Sequence, residues 1–168
     1  MKCLCFSDSH GDSRNMREAL SRHPDAEVVF FLGDGLSDIE PIVSADRSRA
    51  WIYVRGNCDF FHTTLPGRIK KTEKVTLMGY KIVLTHGDVC GVKYGDEGIL
   101  RLAEAEDADI ALFGHTHLPR ENFVRAESGR GIYLFNPGSI GRDYPAPRSY
   151  GVITLTESGV LFSHGSFA

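Results

Sequence analysis

Five short apolar segments of the chain each end on polar residues that are combined with glycine. The segments are 2–7, 27–32, 51–54, 80–85 and 110–113. Runs this short and this apolar are typical of strands that are buried on both faces of a sheet. Because ligands of open α/β sheets bind beyond the carboxyl ends of the strands, the repetition predicts one shared site at that edge.

The polar residues that follow these segments are of the types that bind divalent metals. The candidates are Asp8, His10, Asp34, Asn57, His86, His115 and His117. Seven such ligands exceed the needs of one tetrahedral zinc ion, and they suit two ions about 3.5–4 Å apart with Asp34 between them. Because histidines contribute and thiolates do not, the donors point to Mn²⁺, Zn²⁺, Fe²⁺, Ni²⁺ or Co²⁺ and not to Mg²⁺ or Ca²⁺ alone; of these we expect Mn²⁺, a choice that the donor types themselves do not rank.

Purely local roles are the alternative for several of these residues. Asp8 and His10 could form a turn with a helix cap, although Asp12 or Ser13 can supply that cap alone. Asp34 stands between two glycines and could be a turn residue. We favour the metal site because the same chemical pattern recurs at one strand end after another.

The spacing of apolar and turn-forming residues predicts the remaining elements. Helices are predicted over 14–22, 38–46 and 96–107, with Ser13 and Ser37 as the N-caps of the first two. Hairpins are predicted over 69–77 with 80–85, 121–126 with 131–135, and 149–155 with 159–164. Irregular chain is predicted over 61–68 and 136–139. A βαβ-like first half followed by hairpins favours two packed sheets covered by helices over one doubly wound sheet.

Composition restricts the classes of partner and the location. A length of 168 residues predicts a single domain over 1–168, and the net charge of -3 argues against broad attraction to nucleic acids or membranes. Because no apolar run approaches the roughly 20 residues of a membrane span and no removable signal is evident, we expect a cytoplasmic protein. The four cysteines form no Cys-x-x-Cys pair, so we expect reduced thiols.

The order of the motifs resembles that of a known family. Asp-x-His, Gly-Asp, Gly-Asn-x-Asp, His-Gly and Gly-His-x-His follow one another as in the calcineurin-like metallophosphoesterase superfamily. Segments 54–59, 114–119 and 136–139 resemble those of its small bacterial and archaeal phosphodiesterase branch. The likeness covers nearly the whole chain, and it implies an α/β fold, a four-layer α/β/β/α sandwich of two mixed sheets flanked by helices.

The resemblance also implies a role for each candidate residue. The first metal would be held by Asp8, His10 and His117, the second by Asn57, His86 and His115, and Asp34 would bridge them. Asn57, His86 and Asp34 would also be the catalytic residues. The implied activity is that of a phosphodiesterase in which a hydroxide between two divalent metals attacks phosphorus in line with the leaving group.

Cys58 departs from the pattern of many superfamily members, which carry a histidine there that is thought to protonate the leaving group. A thiol with a reference pKa of about 8.5 is a poor acid for an alkoxide, so we expect good leaving groups such as aryl esters. We interpret Cys58 as a buried packing residue. Arg55, Arg142 and Arg148 are candidate contacts to a small phosphodiester or phosphate-ester substrate.

Three other functions remain open from the sequence. A phosphomonoesterase or a nucleotide pyrophosphatase could use the same ligands, and extra cations that hold a dianion would favour either one. A non-catalytic protein-binding scaffold on the same fold, the role that the resemblance to the related retromer subunit implies, is less favoured because all seven ligand positions are filled. The family resemblance also raises the possibility of a homodimer or a homotetramer.

Overall fold

The computed structural model describes residues 1–60, 63–126 and 128–167, and within them it contains two five-stranded sheets. The strands in chain order are β1 (Lys2–Phe6), β2 (Val28–Phe31), β3 (Ala50–Tyr53), β4 (Thr72–Leu77), β5 (Tyr80–Thr85), β6 (Ile110–Leu112), β7 (Pro119–Arg125), β8 (Gly131–Pro137), β9 (Ser149–Thr156) and β10 (Gly159–Ser166). The helices are α1 (Arg14–Arg22), α2 (Leu36–Ala45) and α3 (Glu97–Ala105), with a short 3-10 helix at Asp88–Cys90.

Both sheets are mixed, and each has parallel strands at its centre. The first has the order β10-β9-β1-β2-β3, in which β1, β2 and β3 are parallel and β9 is antiparallel to β1. The second has the order β4-β5-β6-β8-β7, in which β5, β6 and β8 are parallel. In each sheet the central strands therefore end at one common edge.

Successive side chains of each strand face opposite sides of its sheet, and this alternation produces the layers of the fold. In β1, Cys3 and Cys5 belong to the apolar cluster between the two sheets, whereas Leu4 and Phe6 pack toward α1 and α2. On the outer face of the second sheet, Ala111 packs in a cluster with residues of α3. The predicted four-layer α/β/β/α fold is confirmed, and strands buried on both faces explain the continuous apolar runs.

Two predicted helix starts differ from the structure. Ser13 does precede α1, but its side chain caps no N–H group. The second helix begins at Leu36 instead of residue 38, and Ser37 lies inside it. Its first N–H groups are bound by the carboxylate of Asp59, which is remote in sequence, so no local cap was present to be recognised.

The predicted break at 136–139 is also partly wrong. Strand β8 continues through Asn136 to Pro137 because β7 starts at Pro119 and pairs with both residues. Residues 63–68 are irregular as predicted, while residues 61 and 62 of that segment lie outside the described residues. Among the described helices, none has the length and apolar character needed to span a membrane.

Candidate metal centre

The candidate ligands lie on the loops that leave the central strands. Asp8 and His10 follow β1, Asp34 follows β2, and Asn57 follows β3. The remaining candidates come from the second sheet, where His86 follows β5 and where His115 and His117 follow β6. Each sheet therefore delivers part of the candidate set.

One group of three ligands combines Asp8 and His10 with His117. Their ligand atoms all lie within 4.8 Å of one another. Nε2 of His10 is 3.1 Å from Nε2 of His117, which in turn is 3.2 Å from Oδ1 of Asp8. This is the set that the sequence analysis assigned to the first metal.

A second group combines Asp34 with His86 and His115, again within 4.8 Å. Nε2 of His86 is 3.1 Å from Nδ1 of His115 and 3.3 Å from Oδ2 of Asp34. Nδ1 of the buried His86 lies 2.8 Å from the carbonyl oxygen of Leu32, to which it donates. Since a neutral imidazole has one N–H, the Nε2 lone pair of His86 then points into the group.

The donor atoms of the first group fit a divalent cation. Oδ1 of Asp8 is buried and has no hydrogen-bond partner, a costly condition for a carboxylate oxygen. Nδ1 of His117 faces the carbonyl oxygen of Tyr144 at 3.4 Å, which leaves the Nε2 of His117 as the acceptor that faces His10. A cation among these atoms would satisfy all of them at once.

The backbone of the candidate loops is unusual. Seven non-glycine residues in the described part of the chain have positive φ, and five of them are candidate ligands. These five are Asp8, His10, Asp34, His115 and His117, with φ between 46° and 67°. Left-handed conformations of non-glycine residues cost free energy and concentrate at functional sites, so the arrangement supports a ligand role.

Asp59 holds the Asp34 loop, a role that the sequence alone did not define. Its Oδ2 accepts the N–H groups of Asp34 and Gly56, at 2.8 and 2.9 Å. Its Oδ1 accepts those of Gly35 and Leu36, at 2.8 and 2.9 Å. One carboxylate therefore caps α2 and also fixes the position of Asp34.

Asp8 is held by contacts with both sheets. Its Oδ2 accepts hydrogen bonds from Ser7 Oγ at 2.5 Å and from the backbone N–H of His115 at 3.1 Å. A Cβ atom at Gly114 would overlap Ser7 Oγ and lie 2.8 Å from that same carboxylate oxygen, so only glycine permits this approach. Oδ1 of Asp8 is thereby directed toward the histidines.

Electrostatics favour ionised carboxylates at the centre. Burial opposes ionisation of Asp8 and Asp34, but neighbouring histidines outweigh it and hold the pKa of both carboxyl groups below the usual range. Burial lowers the pKa of His86, yet the two carboxylates raise it on balance. The pKa of His115 is lowered by burial and by His86, whereas Asp8 raises that of His117.

Asn57 and Cys58 lie on the adjacent loop. The Oδ1 atom of Asn57 is buried without a hydrogen-bond partner, and its amide donates to the sulfur of Cys58 at 3.2 Å. The interpretation of Cys58 as a buried packing residue is wrong, because β3 ends at residue 53 and Cys58 is exposed beyond the sheet. Its sulfur lies within 4.8 Å of ligand atoms of His10 and Asp34. Desolvation at the site, together with Asp34, raises the pKa of Cys58 to about 11.

The three candidate arginines differ in their surroundings. Arg142 lines a cavity of about 270 Å³ together with His10, Asp34 and Cys58. Arg148 lies in an adjoining cavity and pairs with a carboxylate oxygen of Asp143 at 3.1 Å. Arg55 lines neither cavity. Of the three, the structure thus brings Arg142 beside His10 and Asp34, whereas Arg148 shares only the cavity that His117 lines.

Sequence reasoning missed Lys93, which lies on the loop after β5. Its side chain is exposed, and its positive charge opposes protonation of His115 and His117, although Asp8 raises the pKa of His117 on balance. The only available signal was its position a few residues beyond His86 at a predicted strand end. A second positive charge, besides that of Arg142, therefore acts on two of the candidate ligands.

Comparison with known proteins adds independent information. The model of the calcineurin-like phosphoesterase superfamily domain matches residues 1–158. The chain belongs to this superfamily. It is 35% identical to the probable metallophosphoesterase YsnB of Bacillus subtilis, over 92% of this chain and 85% of that protein. It is 30% identical to the phosphodiesterase YfcE of Escherichia coli, over 91% of this chain and 87% of that protein.

The fold is shared more widely than the sequence. A crystal structure of a single mutant of Vps29 from Entamoeba histolytica superimposes with a TM-score of 0.75 over 100% of both chains, at 22% identity. At that identity the likeness concerns the fold alone. The predicted resemblance to small bacterial metallophosphoesterases is thus confirmed, as is the fold class.

Proposed function

We propose that this chain is a single-domain, metal-dependent phosphodiesterase over residues 1–168. The observation that carries the proposal is the proximity of the two ligand groups: Oδ1 of Asp8 in the first group, buried and unpartnered, lies 3.9 Å from Nε2 of His86 in the second. The relative YfcE is named a phosphodiesterase, and this supports a diester substrate. Two divalent ions are proposed, with Mn²⁺ as the preferred ion.

The proposed ligand assignment follows the two groups. Asp8, His10 and His117 would hold one ion, and His86 and His115 would hold the other. Asn57 would add its neutral Oδ1 to the second ion, and Asp34 would bridge the pair. When bound, such ions supply an activated water nucleophile and neutralise charge on the phosphoryl oxygens.

The chain's own residues set the charge and the geometry. Asn57 contributes an oxygen ligand without negative charge. The centre therefore attracts an anion more strongly than it would with a carboxylate in that position. Arg142 projects from an exposed loop next to His10, and it forms no ion pair with any residue that the structure describes. We propose that its guanidinium contacts a phosphoryl oxygen and orients the ester.

Cys58 restricts the range of leaving groups. Its thiol lies beside Asp34, and a thiol has a reference pKa of about 8.5. A group this weakly acidic transfers a proton poorly to a departing alkoxide. The proposed substrates are therefore diesters with good leaving groups, of which aryl phosphodiesters are the test case.

Hydrolysis of two chromogenic esters tests the proposal. Chelator-stripped protein is reloaded with Mn²⁺ and assayed with bis-p-nitrophenyl phosphate and with p-nitrophenyl phosphate. We expect faster, metal-dependent hydrolysis of the diester, and loss of activity together with bound metal in Asp34→Asn. The matched control is Asp25→Asn, which removes an exposed carboxylate paired with Lys2 and should leave both unchanged.

The other outcomes identify the alternatives. Faster hydrolysis of the monoester would favour a phosphomonoesterase that uses both Arg142 and Lys93 to hold a dianion. Cleavage of a nucleotide pyrophosphate with neither ester hydrolysed would favour the pyrophosphatase. No hydrolysis of any of these compounds, despite two bound ions, would favour a scaffold role on this fold. A cytoplasmic location and a homodimer or homotetramer stay predictions.

A further inference from the structure

Two cavities adjoin at the candidate centre, and Arg142 lines both of them. The metal-side cavity, of about 270 Å³, contains His10, Asp34 and Cys58. The loop cavity, of about 530 Å³, lies against His117 and is walled by residues 141–144 and Arg148. A phosphoryl group in the metal-side cavity would therefore have the loop cavity directly beyond Arg142.

The start of the loop that builds the second cavity is anchored to the candidate ligands. Ser139 Oγ donates to the carbonyl oxygen of Asp8 at 2.9 Å and accepts the N–H of Arg142 at 2.9 Å. A Cβ atom at Gly141 would overlap the carbonyl oxygen of Ser9. This close packing places Arg142 next to the β1 loop, so the relation between the two cavities is built into the fold.

The lining of the loop cavity is both aromatic and charged. The Tyr144 side chain is 84% exposed, although its backbone carbonyl faces Nδ1 of His117 at 3.4 Å. Arg148 is paired with Asp143 and lies 3.8 Å from Asp12, so its charge is compensated. The loop cavity thus offers an open aromatic ring and a largely neutralised wall, with the free guanidinium of Arg142 at its border.

The size and chemistry of the loop cavity indicate what it can bind. Its volume falls within the range of small-molecule sites, about 300–1,000 Å³. An exposed tyrosine ring binds planar aromatic groups by stacking, whereas its interaction with a methyl group is weak. Contacts with a part of the substrate that does not react can orient the reacting phosphorus.

We propose that the loop cavity binds the ester group that stays on phosphorus after hydrolysis, and that this group is planar and aromatic. The inference rests on the proposed function and adds the substrate class to it. Tyr144 stacks on the aromatic group, and Arg142 contacts the phosphoryl oxygens at the border. Tyr144 is a specificity-determining residue in this account, since its contact lies away from the scissile bond.

Three diesters with the same p-nitrophenolate leaving group test the proposal. Their retained groups are 5′-thymidyl, phenyl and methyl, and all are assayed with the Mn²⁺-loaded full chain. We expect kcat/KM to be about 10-fold higher for one or both aromatic esters than for the methyl ester, because only the aromatic groups can stack on Tyr144. A preference for thymidyl over phenyl would indicate a nucleoside ester, and the reverse would indicate an aryl ester.

Single-residue variants test whether the loop cavity causes the preference for aromatic esters. Tyr144→Ala should remove the roughly 10-fold advantage of the aromatic esters over the methyl ester, whereas Tyr144→Phe should keep that ratio. The matched control is Tyr94→Ala, because Tyr94 is 95% exposed and lines neither cavity. Arg142→Ala should lower kcat/KM for all three esters, and Arg101→Ala, on the exposed face of α3, should not.

A binding measurement separates failure of this inference from failure of the proposed function. Calorimetry compares thymidine 5′-monophosphate and phenyl phosphate with methyl phosphate, on wild-type protein and on Tyr144→Ala. Equal hydrolysis of all three diesters, or an equal loss for all three in Tyr144→Ala, would overturn the inference and leave the phosphodiesterase standing. If no diester is hydrolysed, the proposed function fails, and equal binding of the monoesters would overturn the inference as well.

Discussion

Substitution of Asp59 by asparagine should weaken the centre without altering any candidate ligand. The carboxylate accepts four backbone N–H groups, two on each oxygen, from Asp34, Gly35, Leu36 and Gly56. An asparagine has one acceptor oxygen, and its NH₂ group would face two N–H donors. Two of the four hydrogen bonds are therefore lost in Asp59→Asn.

The expected loss of stability in Asp59→Asn follows from the number of backbone N–H groups that lose their acceptor. Each N–H group without an acceptor costs about 1–3 kcal/mol, so the free energy of unfolding should fall by about 2–6 kcal/mol. Because Asp59 is only partly buried and water can replace part of the loss, we expect the lower half of that range. The freed Asp34 loop should also lower the affinity for Mn²⁺.

Urea unfolding and metal titration measure the two effects. Trp51 is the single tryptophan and gives a fluorescence signal for unfolding, while calorimetry gives the Mn²⁺ affinity. Asp25→Asn is again the control for the change of charge. An unfolding free energy within about 0.5 kcal/mol of wild type, the usual range for surface substitutions, with unchanged Mn²⁺ affinity would refute the role of Asp59.

Three further predictions concern other parts of the molecule. Burial opposes ionisation of Asp46, but hydrogen bonds from Ser48, Arg49 and Trp51 lower its pKa from 3.8 to about 2, so Asp46→Asn should cost about 2 kcal/mol of stability at pH 7. That difference should be complete above about pH 4, fall to about half at pH 3 and disappear as the pH falls through 2, and urea unfolding at pH 7 and pH 3 would show the fall to about half. Cys58→His should speed hydrolysis of alkyl diesters more than of aryl diesters if leaving-group protonation limits the rate, and equal effects on both would argue against that limit. Gly56→Ala should displace Asp34, because the new methyl group would overlap its carboxylate, and a variant that keeps wild-type Mn²⁺ binding would contradict this.

The strand ends could be predicted because their signals are local. Each apolar run and the glycine-containing turn after it lie within a few residues, so the loops of Asp8, Asp34 and His86 were evident from the sequence. The start of α2 was missed because its cap, Asp59, lies more than twenty residues away in the chain. The chemistry of a cap is visible in a sequence only when the capping residue is a neighbour.

The same distinction separates the parts of the site that sequence reasoning found from those that it missed. It placed Cys58 in the core because thiols are often buried, whereas the short β3 leaves Cys58 in an exposed loop beside Asp34. It could not rank the three arginines, since pairing of Arg148 with Asp143 and the position of Arg142 between two cavities depend on the folded loop. Contacts of this kind arise from tertiary structure alone.

Each ligand group draws members from both sheets. Asp8 and Asp34 come from the first sheet, and the histidines that face them at 3.2 and 3.3 Å, His117 and His86, come from the second. Ions held there would connect the two sheets at the edge where the ligand loops lie. The apolar cluster between the sheets would set the distance between them. We therefore expect a change inside that cluster, such as Phe135→Leu, to alter the spread of the two sheets and the Mn²⁺ affinity together.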